Sequence, residues 1–285
     1  GDRLMFGWGL KFAAQTIGVS FDIASTNPSA YYDRTVLATL FQNSAGTTPV
    51  TAGSQPVGLV LDKSQGLVLG PELNVNPAAW TPQAGWSNDG GGEYTCSSGT
   101  NSIFVVGVTG GAKLYEYSLR ISNYVSGSVF FDQGASSTTM SGNGVHKGYF
   151  QPPDGVDAYL YLSALFGFLG TVGDIKIKRV AGNHQSQADA GKRPITDGTP
   201  IYANFDGVDD DLVTTFPASL GAGCTVCRSL PATGADITTG VTLTATYTDT
   251  VDAHALLIYT AAQWAALDAG QIANITTWLN GRAGL

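Results

Sequence analysis

The sequence predicts a mostly β protein, built from antiparallel β-sandwich or jelly-roll modules with a short C-terminal helix. Gly contributes 37 of the 285 residues and charged residues make up only 13%, which favours short strands joined by polar turns. Strand-like runs recur at short intervals, and in Asp174–Val180 apolar and charged residues alternate as in a half-exposed antiparallel strand. A hydrophobic fraction of 43% excludes global disorder.

The first two segments lack a core of their own. In residues 1–24, Met5, Phe6, Trp8, Leu10 and Phe12 nearly alternate with other residues, which predicts a strand or extended arm. We predict that this N-terminal arm contacts a neighbouring subunit of an assembly. Residues 25–70 contain many turn signals, and we predict a turn-rich connector there.

Residues 71–180 are predicted to form one compact jelly-roll domain. Its strand-like runs are Ile103–Val108, Leu114–Ile121, Ser128–Phe131, Ala158–Leu162 and Asp174–Val180.

Residues 181–285 begin with a polar loop and return to strand-like runs before the helix. Ala261–Leu267 fits a short helical turn. Asp268 is a good N-cap for a second helix, in which Ile272, Ile275 and Leu279 fall at helical spacing.

Charge and cysteine content exclude several classes of function. The formal net charge is −8 without a basic stripe, so no nucleic-acid partner is expected. No stretch reaches the roughly 18 apolar residues of a membrane span. Cys96, Cys224 and Cys227 are too few and too scattered for a disulfide framework. For the C-x-x-C pair, two small residues in a strand are favoured over a zinc or redox site, and a bridge between them stays open.

Several segments share a pattern with known proteins: Leu40–Pro49 (LFQNSAGTTP), Gly53–Gly70 followed by Pro71-Glu72-Leu73, Gly182-Asn183-His184-Gln185, Phe205–Asp210 (FDGVDD) and Trp278–Gly284. Together and in this order, they resemble a family of tailed-bacteriophage and prophage virion structural proteins, often tail-fibre-like. The resemblance covers about residues 30–70 and 180–210, and extends to the C-terminal helix.

The resemblance implies both a fold and a function. It implies a carbohydrate-binding-module-like jelly roll in residues 71–180, and a lectin-like sandwich that starts near Phe205. The chain after Phe205 is short for a full lectin-type sandwich, so we predict a lectin-like fragment. The implied function is a non-enzymatic protein on the virion surface that attaches to host-surface glycans. Its partners would be other capsid or tail proteins and further copies of itself, without a cofactor.

Aromatic residues are the predicted glycan contacts, because flat rings stack on sugar faces. The candidates in the jelly-roll segment are Trp80, Trp86, Tyr94, Tyr115 and Tyr117. Trp80 and Trp86 lie in Pro- and Gly-rich sequence and are predicted to expose their rings. Tyr115 and Tyr117 share one face of a strand.

An acidic cluster is the candidate cation site. Asp206, Asp209 and Asp210 could supply oxygen ligands to Ca²⁺. Their spacing is not that of an EF-hand loop, and a solvated turn between two strands is favoured. We therefore predict no metal.

Two other functions compete with attachment. A capsid decoration or head-fibre protein would be architectural, with extensive subunit burial and no sugar site. A polysaccharide depolymerase would need two carboxylates about 5–10 Å apart in a cleft. Glu72, Glu93 and Glu116 are among the candidates, but no spacing singles out a pair. No G-x-S-x-G elbow is present either, so no catalytic residue is predicted.

Overall fold

The computed structural model describes residues 21–73, 80–99, 102–109, 113–132, 139–150 and 157–285. Most of the N-terminal arm, including the predicted strand at Met5–Phe12, lies outside these residues. In chain order the strands are β1 (Ala30–Asp33), β2 (Leu40–Phe41), β3 (Leu59–Val60), β4 (Leu69–Glu72), β5 (Trp86–Gly90), β6 (Glu93–Gly99), β7 (Ser102–Thr109), β8 (Leu114–Asp132), β9 (Gly144–Phe150), β10 (Asp157–Val180), β11 (Gln185–Ser186), β12 (Ile195–Asp197), β13 (Tyr202–Asn204), β14 (Leu212–Thr215), β15 (Gly221–Leu230), β16 (Gly234–Leu243), β17 (Thr246–Asp249) and β18 (Ala255–Tyr259).

Two α-helices close the chain, α1 (Ala261–Ala265) and α2 (Ala269–Arg282), and short 3₁₀ turns occur earlier. The predicted fold class, mostly β with antiparallel sheets and a short C-terminal helix, is confirmed. No helix in the described ranges has both the length and the apolar character that crossing a membrane requires.

A β-sandwich forms from two distant parts of the sequence. One sheet has the order β1-β18-β15-β16 and the other β17-β14-β11-β3-β2. Side chains from both sheets share one core, which includes Tyr32, Leu40, Val60, Leu212, Val226, Tyr247, Leu256 and Ile258. Residues 25–70 are therefore not a separate connector, because their strands complete the sheets of residues 181–285. Residues 181–285 hold only part of the sandwich, and residues 25–70 supply the strands that complete it.

Both helices cover the outer face of the four-stranded sheet. All five residues of β18 are buried, because this strand has the sandwich core on one side and the helices on the other. Ile275 and Leu279 of α2 pack against this face, as their helical spacing predicts. Asp268 caps α2 as predicted, with its side chain accepting a hydrogen bond from the Gln271 backbone N–H at 2.7 Å.

Residues 71–180 form a second unit, a seven-stranded sheet that folds over on itself. We call it the inserted unit, because it lies in the sequence between the two parts of the sandwich. Its order is β5-β6-β10-β8-β9, and both β4 and β7 also pair with β10. The sequence predicts two strands each for the ranges of β8 and β10, but each is one long strand that continues through a bend. The two halves face each other across an aromatic core, where the rings of Tyr117 and Phe131 lie 5.0 Å apart.

Glycine makes the bend in β8 possible. Gly127 has a φ of 73°, and a Cβ there would lie 2.3 Å from the Phe168 nitrogen. Opposite it, Phe166 and Gly167 also have positive φ and form an irregularity in the register of β10. The Ser126 hydroxyl donates to the Gly167 carbonyl at 2.8 Å. The bend is thus held by local hydrogen bonds.

The two units meet at a small apolar junction. Phe41 and Leu59 of the sandwich pack near Leu114 and Val180 of the inserted unit. Val180 of β10 pairs with Leu69 of β4, so the chain leaves the sandwich and returns to it at adjacent positions. This arrangement places residues of both units around a common surface.

Candidate functional site

The five predicted glycan-contact aromatics are all buried. Trp80 is 6% exposed and Trp86 is 7% exposed, and Tyr94, Tyr115 and Tyr117 are more deeply buried still. The prediction that the two tryptophans expose their rings is wrong. A buried ring has no open face for a sugar, so these five residues are corrected to core residues of the inserted unit.

Their ring contacts explain the burial. Trp80 stacks on Tyr94 with ring centroids 5.6 Å apart, and Tyr115 stacks on Phe150 at 5.3 Å. Trp86 stacks on Phe168 at 5.9 Å, next to the bend. Pairs of this kind add to the stability that burial itself provides. The rings therefore pack on one another within the core of the folded-over sheet.

The structure brings the acidic cluster together. Carboxylate oxygens of Asp206, Asp209 and Asp210 lie within 4.8 Å of one another. Asp206 Oδ1 accepts backbone hydrogen bonds from Val208 at 2.8 Å and Asp209 at 3.2 Å, and these bonds hold the pKa of Asp206 below its usual value. Burial raises the pKa of Asp210. The bonds within the cluster are those of a turn, as the sequence favours, and they identify no ligand.

The two cysteines of the C-x-x-C pair face different cores. Cys224 packs into the core between the two sheets, whereas Cys227 packs under the helices. Both are free thiols, and burial raises the pKa of Cys227 to about 12. Side chains on opposite sides of one sheet cannot bind the same metal ion or bridge to each other. The prediction of two small strand residues is confirmed, since both lie in β15.

The carboxylates weighed for hydrolysis make structural contacts. Glu93 and Asp174 both bind Arg120, with Asp174 Oδ2 at 2.7 Å from Arg120 Nε. Glu72 Oε1 accepts the Ile177 backbone N–H at 2.7 Å. Glu116 accepts a long bond from the Tyr149 hydroxyl at 3.5 Å. These contacts link neighbouring strands of the inserted sheet.

The Gly-Asn-His-Gln segment fixes the chain where it returns to the sandwich. The Asn183 backbone N–H donates to Asp62 Oδ2 at 2.7 Å, and the Asp62 N–H donates to His184 Nδ1 at 3.0 Å. Burial lowers the pKa of His184 to about 4 and raises the pKa of Asp62. Asn183 Nδ2 also donates to the Ser29 carbonyl at 2.8 Å. The Asn183 side chain is therefore held in one orientation.

An open cleft of about 300 Å³ lies at the junction of the two units. The inserted unit contributes Lys113 and Arg179. The sandwich side of the cleft is lined by Gly182, Asn183, Thr215, Phe216 and Pro217.

The two cations of the cleft lie at the same end of one strand pair. Arg179 is opposite Tyr115 in the register of β8 and β10, and Lys113 directly precedes β8. They are far apart in the sequence, and only the long antiparallel pairing brings them together. No local sequence pattern marks these two residues as neighbours.

The cleft is positively charged in an acidic chain. Within the described residues, neither Lys113 nor Arg179 forms an ion pair, and the described lining contains no carboxylate. Three other cavities on the described surface each include at least one Asp or Glu. The formal net charge of the whole chain is −8. Two unneutralised cations in one concavity thus make this surface suited to a polar or anionic ligand.

The sandwich side of the cleft is fixed by core packing, and Pro217 is its exposed apolar wall. Phe216 is buried in the sandwich core, and its backbone N–H donates to the Ala245 carbonyl at 2.7 Å. Pro217 follows it, while Thr215 ends β14 and supplies a hydroxyl. The cleft therefore combines two charged donors, the oriented side-chain amide of Asn183, the Thr215 hydroxyl and an apolar wall at Pro217.

Comparisons of this chain with family models, with curated proteins and with solved structures found no match.

Proposed function

We propose that this chain is a non-enzymatic, tail-fibre-like surface protein of a tailed-bacteriophage particle, and that it attaches to glycans on the host surface. The resemblance of residues 30–70 and 180–210 to virion proteins supports the assignment to a particle. The observation that carries the attachment role is the cleft between the two units. Ligand sites occur preferentially at junctions of this kind, where an apolar wall and a few placed polar groups converge.

Each part of the cleft has a role in this proposal. Lys113, Arg179 and the side chain of Asn183 hydrogen-bond sugar oxygens, and the Thr215 hydroxyl adds a donor and acceptor. Pro217, which is exposed, contacts the apolar C–H face of the sugar ring. Such a shallow site binds weakly by itself, and many copies on one particle multiply the strength of attachment. The proposed glycan contact is therefore the junction cleft, and not the five buried aromatics that the sequence predicts.

A glycan array with the purified chain tests the proposal. The Thr215→Trp variant puts a large side chain into the cleft and is expected to abolish binding to every glycan that the unaltered chain retains. Thr248→Trp is the matched control, because Thr248 is exposed on β17 and does not line the cleft. Thermal unfolding of both variants establishes that the fold is intact.

Electron cryo-microscopy of the intact particle decides between attachment and architecture. Attachment predicts that the chain lies on the tail or its fibres with the cleft open. Density on the capsid lattice, with the cleft covered by shell subunits and no glycan retained on the array, would establish a decoration or head-fibre role instead.

A further inference from the structure

We infer that the junction cleft recognises an acidic sugar, whose carboxylate or phosphate group binds between Lys113 and Arg179. The sugar part of this inference rests on the proposed function. The anion part rests on the cleft itself, where two cations face one concavity whose described lining holds no carboxylate.

Half of the other cations in the described part of the chain form ion pairs with carboxylates. Arg34, Lys63, Arg120, Arg228 and Arg282 all form ion pairs.

The remaining cations differ from Lys113 and Arg179 in their surroundings. Arg193 donates hydrogen bonds to backbone carbonyl oxygens, for example that of Ala188 at 2.7 Å. Lys147, Lys176 and Lys178 line a small groove together with Glu116, and Lys192 lines a cavity with three aspartates. Acidic groups therefore accompany those lysines. The groove also has an excess of positive charge, but among the cavities described above the junction cleft is the one whose described lining has cations and no carboxylate.

The two cations complement each other chemically. A guanidinium presents a planar pair of N–H donors that matches both oxygens of a carboxylate or phosphate, whereas an ammonium acts as a point charge. Arg179 is anchored on β10, in register with Tyr115 of β8. Lys113 adjoins the first residue of β8, so both charges are positioned by the same strand pair.

The size of the cleft limits the ligand. A volume of about 300 Å³ is at the lower end of the range for small-molecule sites. It accommodates a single sugar ring with its acidic group. Pro217 faces the ring while the cations bind the anion, so the recognised unit is one acidic sugar residue.

Titration of the full chain with four probes tests the inference: glucuronic acid, glucose 6-phosphate, glucose and inorganic phosphate. Binding is followed by nuclear magnetic resonance at low salt. At least one acidic sugar is expected to bind about tenfold more tightly than glucose, the factor that one charge-assisted hydrogen bond supplies. It is also expected to bind more tightly than inorganic phosphate, because the apolar wall contacts the ring.

Charge-removing variants locate the site. Arg179→Gln and Lys113→Gln are each expected to weaken binding of the acidic sugar about tenfold. Lys176→Gln is the matched control, since it removes the same charge from an exposed position on β10 outside the cleft. It is expected to leave the affinity unchanged, and thermal unfolding checks the fold of all three variants.

Three results would overturn the inference. Equal affinity for glucose and glucose 6-phosphate, with no preference for glucuronic acid over glucose, would exclude acid recognition. An equal loss of affinity in Lys176→Gln and Arg179→Gln would reduce the effect to overall charge. Inorganic phosphate binding as tightly as either acidic sugar would leave an anion site without sugar recognition. In each case neutral glycans retained on the array would leave the proposed attachment role standing, whereas an array on which nothing binds would overturn that role itself.

Discussion

Arg34 is fully buried in the sandwich, and its charge is matched by Asp249, with Arg34 Nη2 2.5 Å from Asp249 Oδ2. Gln185 Oε1 accepts a second bond from the same guanidinium at 2.9 Å, and the Phe205 ring lies 5.7 Å away. Residues from distant parts of the chain thus meet at one guanidinium. Such a pair is costly to break, because the remaining charge would be buried without a partner.

His184 predicts a defined pH dependence of stability. Its pKa is about 4 in the folded chain, against about 6.5 in an unfolded chain. Between these values the unfolded state binds more protons, so the contribution of His184 is fully present above pH 6.5 and is lost as the pH falls toward 4. Over the range from pH 7.5 to 4.5, we expect this residue alone to lower the free energy of unfolding by roughly 2–3 kcal/mol.

Denaturant unfolding of the unaltered chain and of His184→Gln at both pH values measures this effect. The buried carboxyl of Asp62 has a raised pKa and opposes the trend, but it is present in both chains, so the difference between them isolates His184. His146→Gln is the control, because this histidine is only partly buried in the inserted unit. Identical pH dependence with and without His184 would contradict the prediction.

The buried aromatics show where reasoning from single residues fails. The alternation of Tyr115 and Tyr117 correctly places both on one face of a strand. Whether that face points inward depends on the other half of the folded sheet. That half includes Phe131, which follows the bend in β8 and packs against Tyr117. The Pro- and Gly-rich sequence around Trp80 and Trp86 predicts irregular backbone. It does not predict whether other residues cover the two rings.

At the scale of elements, the bend in the long strand pair shapes the inserted unit. Gly127 and Gly167 both have positive φ, of 73° and 70°. They differ in space, since a Cβ at Gly127 would collide with the backbone of Phe168, while a Cβ at Gly167 would meet nothing within 4 Å. A Cβ at Gly167 would therefore cause backbone strain alone, whereas a Cβ at Gly127 would cause the same strain and a steric clash.

Alanine substitutions at the two glycines test this account. Gly167→Ala is expected to lower the free energy of unfolding by about 1–2 kcal/mol, the cost of the left-handed conformation for a residue with a Cβ. Gly127→Ala carries the same cost and must also displace the neighbouring strand, so its loss is expected to be clearly larger. Denaturant unfolding compares the two variants. Equal losses would show that the close approach at Gly127 does not constrain the bend.

At the scale of the whole molecule, the sandwich is discontinuous in sequence and complete in space. Its core draws on residues 30–60 and 203–258, and the inserted unit has a separate core. The ends of the insertion already meet, because the Leu73 backbone N–H donates to the Ile177 carbonyl at 2.9 Å. The inserted unit is therefore attached to the sandwich by two adjacent chain segments, and it contributes no strand to either sheet of the sandwich.

Two deletions test this organisation. Replacing residues 74–176 with a short Gly-Ser turn is expected to leave a sandwich that unfolds cooperatively, because its core keeps every strand. Removing residues 21–65 instead takes away β1, β2 and β3, and is expected to abolish cooperative unfolding. Circular dichroism during thermal unfolding measures both. A sandwich that survives the second deletion would show that residues 25–70 are the connector that their composition predicts.

The sequence by itself determines the fold class, the alternation in Asp174–Val180 and the helix that begins after Asp268, because period and capping are local properties. The tertiary structure alone decides the rest. It completes the sandwich with residues 25–70, turns the aromatic candidates inward and brings Lys113 beside Arg179. Each of these depends on pairing between strands that are distant along the chain, and such pairing is set by the packing of whole faces rather than by any local pattern.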